Sequence, residues 1–290
     1  VKIGVTGGKG GTGKSTVATN LAAVLASERK VVLGDLDVED PVDHILLGVE
    51  LQGEEPVKIM LPVIDYSKCT SCGVCVKICD TGALIASKDG RPFVLPRLCS
   101  GCRSCYFACP EKAIIEGGRI LGYTYRTDVA LQDGLTFQLV TGMLREGEEH
   151  TSPVVIAARE RATSVAEDVL LVDTSAGTGN NISIALEGAK LAIAVTEPTP
   201  LGLHDLESIL ELTSIMGIET WVVENRAGIG SDEKVVDVAR KFGVEVKAKI
   251  PYSKELIKHY VQGVPIVLGA SDSEPARVLR SLGRELLEVM

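Results

Sequence analysis

Close to the start of the chain stands the sequence Gly8-Lys9-Gly10-Gly11-Thr12-Gly13-Lys14-Ser15-Thr16. It follows an apolar run at residues 2–5, which predicts a strand, and opens a segment at residues 14–27 with helical spacing of apolar residues. A loop of the form G-x-x-x-x-G-K-[ST] between a strand and a helix presents backbone N–H groups and a helix N-terminus to a triphosphate. We therefore predict a phosphate-binding loop in which Gly8 and residues 10–16 bind a nucleotide.

Two residues of this loop indicate the kind of nucleotide. Lys14 is placed to reach the β- and γ-phosphates, and the Ser15 hydroxyl to bind Mg²⁺. The segment from Gly8 to Gly13 also reads G-x-G-x-x-G, with Asp35 about twenty residues further on, which is the pattern of a dinucleotide site. A dinucleotide needs neither a lysine nor a hydroxyl directly after the last glycine, whereas a Mg²⁺-bound triphosphate needs both. The triphosphate is the better interpretation.

Strands and helices alternate in the sequence on both sides of its cysteine-rich middle. Apolar runs predict strands at residues 31–34, 169–172, 191–196, 220–224 and 244–250. Helical patterns lie between them, at residues 181–188, 204–216 and 232–242, and a last one spans residues 274–290. Continuous apolar strands that alternate with helices indicate a parallel sheet covered on both faces. The predicted fold class is α/β, with a doubly wound, mostly parallel sheet.

Composition excludes some classes of function. The 290 residues carry 30 basic and 39 acidic side chains, a formal net charge of −9, which argues against a nucleic-acid partner held by phosphate contacts. The longest apolar runs, at residues 169–172 and 191–195, fall far short of the ~18 residues that span a bilayer. Glutamates dilute the positive face of the terminal helix, so membrane docking is disfavoured as well. We expect a cytoplasmic protein.

All eight cysteines lie between Cys69 and Cys109, in two runs at a constant offset of 30 residues. Each run reads C-x₂-C-x₂-C-x₃-C, the pattern of bacterial ferredoxins, in which the fourth cysteine ligates the cluster of the other run. Zinc is the alternative, because paired C-x₂-C motifs also bind it, but the third cysteine of each run disfavours zinc. We predict two [4Fe–4S] clusters, one held by Cys69, Cys72, Cys75 and Cys109 and the other by Cys79, Cys99, Cys102 and Cys105.

The cysteine runs belong to a larger internal repeat. The same offset aligns Ala83 with Ala113 and Ile85 with Ile115, which indicates duplication of a whole small unit. Because the unit interrupts the alternating pattern, we predict an inserted α+β domain of the bacterial ferredoxin type at residues 61–118. The nucleotide-binding domain then consists of residues 1–60 and 119–290.

The phosphate loop also resembles the deviant Walker A motif of the MinD/ParA family of P-loop ATPases, which includes the nitrogenase iron protein. The resemblance rests on Lys9 and Lys14, which bracket the loop, and implies ATP hydrolysis within a homodimer that ATP bridges. In that family the first lysine reaches the partner's phosphates, so Lys9 is expected to be catalytic beside Lys14. The sequence departs from the family's D-x-P-P-G motif, with Ser175 and Ala176 at the proline positions. Further roles implied by the resemblance are orientation of the attacking water by Asp37, Mg²⁺ binding near Asp35, Asp173 and Ser15, and contacts around the base by Asn225, Arg226 and Pro251.

Together these features resemble the MinD-superfamily ATPases that carry an inserted ferredoxin domain. Our main hypothesis is that ATP binding and hydrolysis control electron transfer through two [4Fe–4S] clusters to an unidentified redox or metallocluster protein. One alternative is an ATP-dependent assembly or carrier protein for iron–sulfur or related metal centres. The absence of cysteine outside the insert argues against a cluster that bridges two ATPase bodies. Another alternative is a nucleotide-controlled interaction switch whose clusters sense redox state.

Overall fold

The structure is a computed structural model that describes residues 1–131 and 134–290. The strands among these residues are β1 (Lys2–Thr6), β2 (Val31–Asp35), β3 (Glu55–Ile64), β4 (Leu84–Ala86), β5 (Pro92–Val94), β6 (Ile114–Ala130), β7 (Thr136–Leu144), β8 (Val169–Asp173), β9 (Leu191–Thr196), β10 (Glu219–Ala227) and β11 (Glu245–Pro251). Nine of them form one sheet in the order β11-β10-β9-β1-β8-β2-β7-β6-β3, and β4 and β5 form a separate pair.

Helices cover both faces of the parallel part of this sheet, whereas α3 and α4 lie in the cysteine-rich segment and pack against each other. The helices are α1 (Lys14–Leu25), α2 (Asp43–Leu46), α3 (Val74–Lys77), α4 (Ser104–Ala108), α5 (Ser152–Val165), α6 (Asn180–Leu186), α7 (Pro200–Ile215), α8 (Asp232–Lys241), α9 (Lys254–Gln262), α10 (Ile266–Gly269) and α11 (Glu274–Val289). Within the described ranges, no helix is both long enough and apolar enough to cross a membrane.

Alternate residues of the central strands pack into two separate hydrophobic cores. Leu33 of β2 and Leu171 of β8 pack with α1 and α11 on one face, while Val32 and Leu170 pack with α5 on the other. Strands buried on both faces require apolar residues at every position, which is the continuous pattern seen in the sequence. Seven strands, from β11 to β7, are parallel. The predicted α/β fold with a mostly parallel sheet is confirmed.

One edge of the sheet differs from the rest. The long strand β6 runs antiparallel to β7 and to β3, and β3 and β6 extend together as a two-stranded ribbon. The boundaries predicted at 60/61 and 118/119 fall inside this ribbon. Gly117 lies within β6, and a Cβ atom there would meet the Leu61 carbonyl oxygen at 2.7 Å. Its lack of a side chain therefore reflects close backbone approach in the ribbon rather than a flexible linker.

Residues 65–113 lie at the end of this ribbon, and their backbone repeats itself at the 30-residue offset. Residues 62–64 of β3 pair with residues 114–116 of β6, and β5 pairs with β4 at the equivalent positions. Three pairs of residues at this offset have positive φ: Ser71 and Gly101, Gly73 and Arg103, and Gly82 and Lys112. The backbone N–H of Asp65 donates to the Ala113 carbonyl, as that of Leu95 does to the Ala83 carbonyl. The first strand of each repeat thus pairs with the last strand of the other.

Candidate functional site

The phosphate loop lies at the carboxyl end of β1 and leads directly into α1. Its last glycine, Gly13, is the N-cap of α1 with φ +96°, and a Cβ atom there would meet Asn225 Nδ2 at 2.2 Å. Gly11 also has positive φ, +79°. Only glycine adopts these angles readily and leaves the backbone open to a phosphate group. The backbone conformation of the loop therefore requires glycine at these two positions.

Lys14 lies in the first turn of α1 and is 6% exposed. Its ammonium nitrogen donates to the Lys9 carbonyl oxygen at 3.4 Å. The same ammonium group opposes the effect of burial on the Asp37 carboxyl, whose pKa burial raises above the usual range. The Lys14 ammonium group therefore lies close enough to Asp37 to act on the charge of its carboxyl group.

Buried carboxylates stand beside the loop. Asp35 and Asp173 are register neighbours on β2 and β8, and Asp43 at the start of α2 donates its backbone N–H to Asp35 Oδ2 at 3.0 Å. Oxygen atoms of these three carboxylates lie within 4.8 Å of one another. Burial raises the pKa of Asp173 to about 7, against the opposing effects of the Ser15 hydroxyl and the Lys14 ammonium. Burial also raises the pKa values of Asp35 and Asp43 well above the usual range.

An all-oxygen donor set of this kind suits Mg²⁺. Both carboxylate oxygens of Asp173 are buried and lack a hydrogen-bond partner among the described residues, and a buried carboxylate without a partner is costly unless a cation or a proton neutralises it. Asp35, Asp173 and Ser15 were predicted for this role. Asp43 was not, because it has no motif spacing of its own and is brought to the site by the turn of chain that leads into α2.

Lys9 forms an ion pair within its own chain. Its Nζ lies 2.6 Å from Glu197 Oε1, and the Arg226 guanidinium lies 2.6 Å from Glu197 Oε2. Thr199 also donates its hydroxyl to Glu197 Oε1 at 3.1 Å. Glu197 is buried, and although burial opposes the shift, these donors lower its pKa. Glu197, in the loop after β9, was not among the predicted site residues.

Asn225 reaches the phosphate loop from the end of β10. Its Nδ2 donates to the Thr12 carbonyl oxygen at 2.8 Å, and its Oδ1 accepts the backbone N–H of Arg226 at 2.9 Å. Pro251 ends the neighbouring strand β11, where it pairs with Ala227. Among the predicted base-side residues, Asn225 contacts the phosphate loop, Arg226 follows it on β10, and Pro251 lies on the neighbouring strand. Both ends of the Asn225 amide have partners within the chain.

Glu224, next to Asn225, is fully buried, and the Lys249 ammonium nitrogen lies 3.4 Å from Glu224 Oε2. Burial raises the pKa of Glu224 to about 7 from the usual value of 4.5, against the opposing effect of the Lys249 ammonium group. The folded protein therefore retains this proton where the unfolded chain has lost it, so the free energy of unfolding falls as pH rises from 4.5 to about 7. We expect Glu224→Gln to gain stability relative to the native chain between about pH 5 and about pH 8, by on the order of 2 kcal/mol.

Urea unfolding followed by circular dichroism at both pH values checks this expectation. The matched control is Glu233→Gln, which removes the same charge from a carboxylate in the first turn of α8. A gain for the Glu224 variant that does not change with pH would contradict the expected titration of this group.

The first cysteine quartet surrounds one cavity. Cys69, Cys72, Cys75 and Cys109 line it, together with apolar side chains such as Ile64 and Ile114. Cys109 thus joins three cysteines of the other run, as the ferredoxin pattern predicts. Its Sγ accepts the backbone N–H of Ala113 at 3.3 Å. Four thiols around an apolar cavity are a donor set that fits an iron–sulfur cluster.

The second quartet lies at the positions related by the repeat. Cys99 and Cys105 are buried, Cys79 is half-buried and Cys102 is exposed. Cys79 packs against the apolar cluster that contains Met60, Leu84 and Cys105. Hydrogen bonds from the Ser104 hydroxyl and backbone lower the pKa of Cys102, which favours the thiolate that a metal requires.

An ion-pair network connects the ribbon to the chain that precedes α5. The Arg119 guanidinium pairs with the Glu148 carboxylate and also donates to the Pro96 carbonyl oxygen, three residues before Cys99. His150 Nδ1 lies 2.8 Å from Glu148 Oε1. Although burial opposes it, hydrogen bonds from His150, the Glu149 backbone and Arg119 lower the pKa of Glu148 to about 2. We call Arg119, Glu148 and His150 the Arg119 network.

The chain continues from this network to the loop after β8. Thr151 follows His150, and its hydroxyl oxygen accepts a hydrogen bond from Asn181 Nδ2 at 2.7 Å. The Ser152 hydroxyl donates to Asn181 Oδ1 at 2.9 Å. Asn181 lies in the first turn of α6, directly after the loop that begins at Asp173. Hydrogen bonds and a short stretch of backbone therefore connect the carboxylate site with the second cysteine run.

Comparisons with known proteins bear on the fold and on the family of the chain. A sequence model of one family, the CobQ/CobB/MinD/ParA nucleotide binding domain, matches residues 3–266. The chain is 34% identical over 262 residues to Uncharacterized protein MJ0579 of Methanocaldococcus jannaschii, covering 90% of this chain and 89% of that protein. It is 27% identical over 307 residues to the Iron-sulfur cluster carrier protein of Aquifex aeolicus, covering 99% and 67% respectively. The cell division ATPase MinD of Pyrococcus furiosus shares the fold, with a TM-score of 0.61 at 19% identity over 100% of this chain and 99% of that one.

Proposed function

Because the chain belongs to the CobQ/CobB/MinD/ParA family of nucleotide-binding domains, we propose that it is an ATPase whose nucleotide state controls electron delivery from two [4Fe–4S] clusters. The observation that carries this proposal is the arrangement of the cysteines, in which one quartet lines a single cavity. The other quartet lies at the positions related by the repeat, and Arg119 connects the chain just before Cys99 with Glu148, in the segment that leads into α5. The electron acceptor is a partner protein.

The residues of the ATPase body have distinct tasks. Lys14 and the loop N–H groups hold the β- and γ-phosphates, and Asp37 orients the water that attacks the γ-phosphorus as its bond to the ADP oxygen breaks. Asp35, Asp173 and Ser15 would hold Mg²⁺, which neutralises phosphate charge when bound. Lys9 leaves Glu197 and reaches the nucleotide of a second copy, so the active ATPase is a homodimer.

The insert at residues 61–118 is the redox module of this proposal. Its cysteines hold the clusters, which supply one-electron transfer when bound. Each quartet provides four thiolates from the same chain, so neither cluster needs a ligand from the partner or from the ATPase body. Full ligation of this kind favours retention of the cluster and transfer of electrons rather than of iron.

The Arg119 network provides the connection between the two modules. Arg119 is 13% exposed and Glu148 is 10% exposed, so solvent screens their ion pair less than it screens a surface pair. A movement of the loop after β8 on ATP binding would shift Asn181 and Thr151, and through Glu148 and Arg119 the backbone at Pro96. The second cluster should therefore respond to the nucleotide more than the first.

An anaerobic redox titration by EPR tests the proposal, with no nucleotide, with ADP and with a non-hydrolysable ATP analogue. We expect the analogue to shift the potential of one cluster by about 60 mV, which corresponds to a tenfold coupling in a one-electron couple. Arg119→Gln should abolish most of that shift. Arg91→Gln, which removes an exposed arginine of the insert, should retain it. Equal potentials in all nucleotide states would exclude electron control by ATP.

A second function is favoured by the likeness to relatives named iron-sulfur cluster carrier proteins. In that case the chain would transfer a whole cluster to an apo-acceptor. Transfer of iron and sulfide to an apo-ferredoxin on ATP addition, measured by the change in its visible circular dichroism, distinguishes this function. Retention of both clusters through many ATP turnovers excludes it.

A further inference from the structure

The two cysteine runs repeat one unit, so the fold accepts either residue wherever equivalent positions differ. Thr81 stands at the position equivalent to Glu111, and Ser104 at the position equivalent to Val74. Valine has no polar side-chain group, and a carboxylate accepts hydrogen bonds without donating them. Each run therefore contains one hydroxyl group for which its copy has a side chain that cannot donate.

Both hydroxyl groups lie beside cysteine sulfurs. Cys79 Sγ lies 3.6 Å from Thr81 Oγ1, and Cys102 Sγ lies 3.4 Å from Ser104 Oγ. A cysteine that ligates iron is a thiolate and has no proton to donate, so the hydroxyl is the donor in each pair of the loaded protein. Although burial opposes it, hydrogen bonds from the Thr81 hydroxyl and from the backbone lower the pKa of Cys79.

Crossed ligation brings both hydroxyl groups to the same cluster. Cys79 belongs to the first run and Cys102 to the second, yet both are members of the second quartet. Their counterparts in the first quartet are Cys109 and Cys72, and neither has a hydroxyl residue two positions further along the chain. The two O–H···S contacts of the second quartet thus have no equivalent at these positions in the first.

Other features around the sulfurs are matched between the quartets. Cys75 and Cys105 are both buried, and burial raises the pKa of each. Cys72 and Cys102 are both exposed. One exposed acidic residue follows the last cysteine of each run within two positions. These features act on the two clusters in the same sense, whereas the two hydroxyl groups distinguish them.

We propose that the second cluster has the higher reduction potential, because the Thr81 and Ser104 hydroxyls donate to its ligand sulfurs. Hydrogen bonds to the sulfurs are among the factors that set the potential of such clusters. A donor stabilises the reduced form more, since that form carries one more negative charge. One electron then passes from the reduced first cluster to the oxidised second cluster, and no bond or proton changes place.

This inference deepens the proposed electron-transfer function and rests on it. The electron comes to rest on the quartet that contains Cys99, and Arg119 contacts the backbone three residues before Cys99. The Arg119 network therefore acts on the cluster from which the electron leaves for the partner protein. Thr81 and Ser104 are positioning residues, which act through the cysteine sulfurs.

An anaerobic EPR redox titration of the whole chain without nucleotide tests the order of the potentials. The native chain should be reduced in two one-electron steps. Thr81→Val combined with Ser104→Ala should lower the step of higher potential by about 59 mV, which is a tenfold change in a one-electron equilibrium, and should leave the other step unchanged. Val74→Ser adds a hydroxyl at the position equivalent to Ser104 and should raise the step of lower potential.

Ser67→Ala is the matched control, because it removes a hydroxyl of the insert that donates to Asp65 Oδ1 at 2.6 Å. It should leave both steps unchanged. Circular dichroism and an iron content of about eight atoms per chain show that a variant is folded and loaded. If the double variant does not hold its iron, Val74→Ser decides alone, and an unchanged step of lower potential then overturns the inference.

The inference is also overturned if the loaded double variant keeps both native potentials, shifts both steps alike, or lowers only the step of lower potential. The native chain is titrated in parallel with the non-hydrolysable ATP analogue. A nucleotide-dependent shift beside an unchanged double variant would overturn the order of the potentials and leave the proposed function intact. Absence of that shift would instead overturn the proposed function.

Discussion

Replacement of Lys9 by alanine is expected to abolish ATP-dependent dimerisation and to slow ATP hydrolysis by about three orders of magnitude. An arginine finger supplied by a partner contributes a factor of about 10³–10⁵ to phosphoryl transfer, and Lys9 takes that place in the proposed dimer. In the single chain Lys9 is held by Glu197 at 2.6 Å, so it makes no contribution to its own phosphate loop. Loss of Lys9 should therefore leave nucleotide binding to the monomer nearly unchanged.

Single-turnover hydrolysis and sedimentation with a non-hydrolysable ATP analogue measure the two effects. Lys190→Ala removes a lysine far along the chain from the loop and controls for the lost charge. Lys14→Ala is the contrasting variant, because it should lose nucleotide binding itself. If Lys9→Ala hydrolyses ATP at the rate of Lys190→Ala and still forms the dimer, Lys9 has no role in trans.

The glycine loop shows how far local sequence determines this structure. The spacing from Gly8 to Ser15 requires a strand before it and a helix after it, and α1 begins at Lys14 as predicted. The central strands were also predictable, since burial on both faces leaves a continuous apolar run with no alternation. Both the glycine spacing and the apolar runs are read from residues that are close together in the sequence. Neither depends on which strands become neighbours in the sheet.

The edge of the sheet was not predictable in the same way. β6 contains Gly117, Gly118 and Gly122, which suggest a linker when read alone. A Cβ atom at Gly122 would meet the Met143 carbonyl oxygen at 2.3 Å, so the glycine is required by a neighbouring strand. The partner of such a residue is distant in sequence and leaves no periodic pattern.

The same reason explains the site residues that were not predicted. Asp43 is an isolated acid in a short polar segment, and only the turn of α2 brings it beside Asp35. Glu197 reaches Lys9 across 188 residues of chain. Motif spacing identifies residues that act through their own loop, whereas these two act through tertiary neighbours. In contrast, the cysteine runs can be recognised in the sequence, because both their local spacing and their 30-residue offset are visible there.

Exchange of single cysteines is expected to remove clusters in a crossed pattern. Cys109→Ser should remove the same EPR signal as Cys72→Ser, although Cys109 belongs to the second run. Cys79→Ser should remove the same signal as Cys102→Ser. Each variant should contain about four iron atoms per chain instead of about eight, because one cubane is lost and the other remains.

The crossing follows from the way the repeats pair. The first strand of each repeat hydrogen-bonds to the last strand of the other, and the last cysteine of each run lies just before that last strand. Cys109 is therefore drawn to the first quartet, where it lines the cavity with Cys69 and Cys75. Thr70→Ser, beside Cys69, is the conservative control and should keep both signals.

Quantitative iron analysis and spin integration after dithionite reduction distinguish crossed ligation from ligation of each cluster by a single cysteine run. If Cys79→Ser removed the signal that Cys75→Ser removes, each run would hold its own cluster. The strand pairing between the two repeats would then not determine which cysteines share a cluster. Loss of all iron in every variant would mean that the clusters fold the insert as one unit, since a small domain with little apolar core depends on its metal. Retention of one intact signal is the outcome that the separate quartets predict.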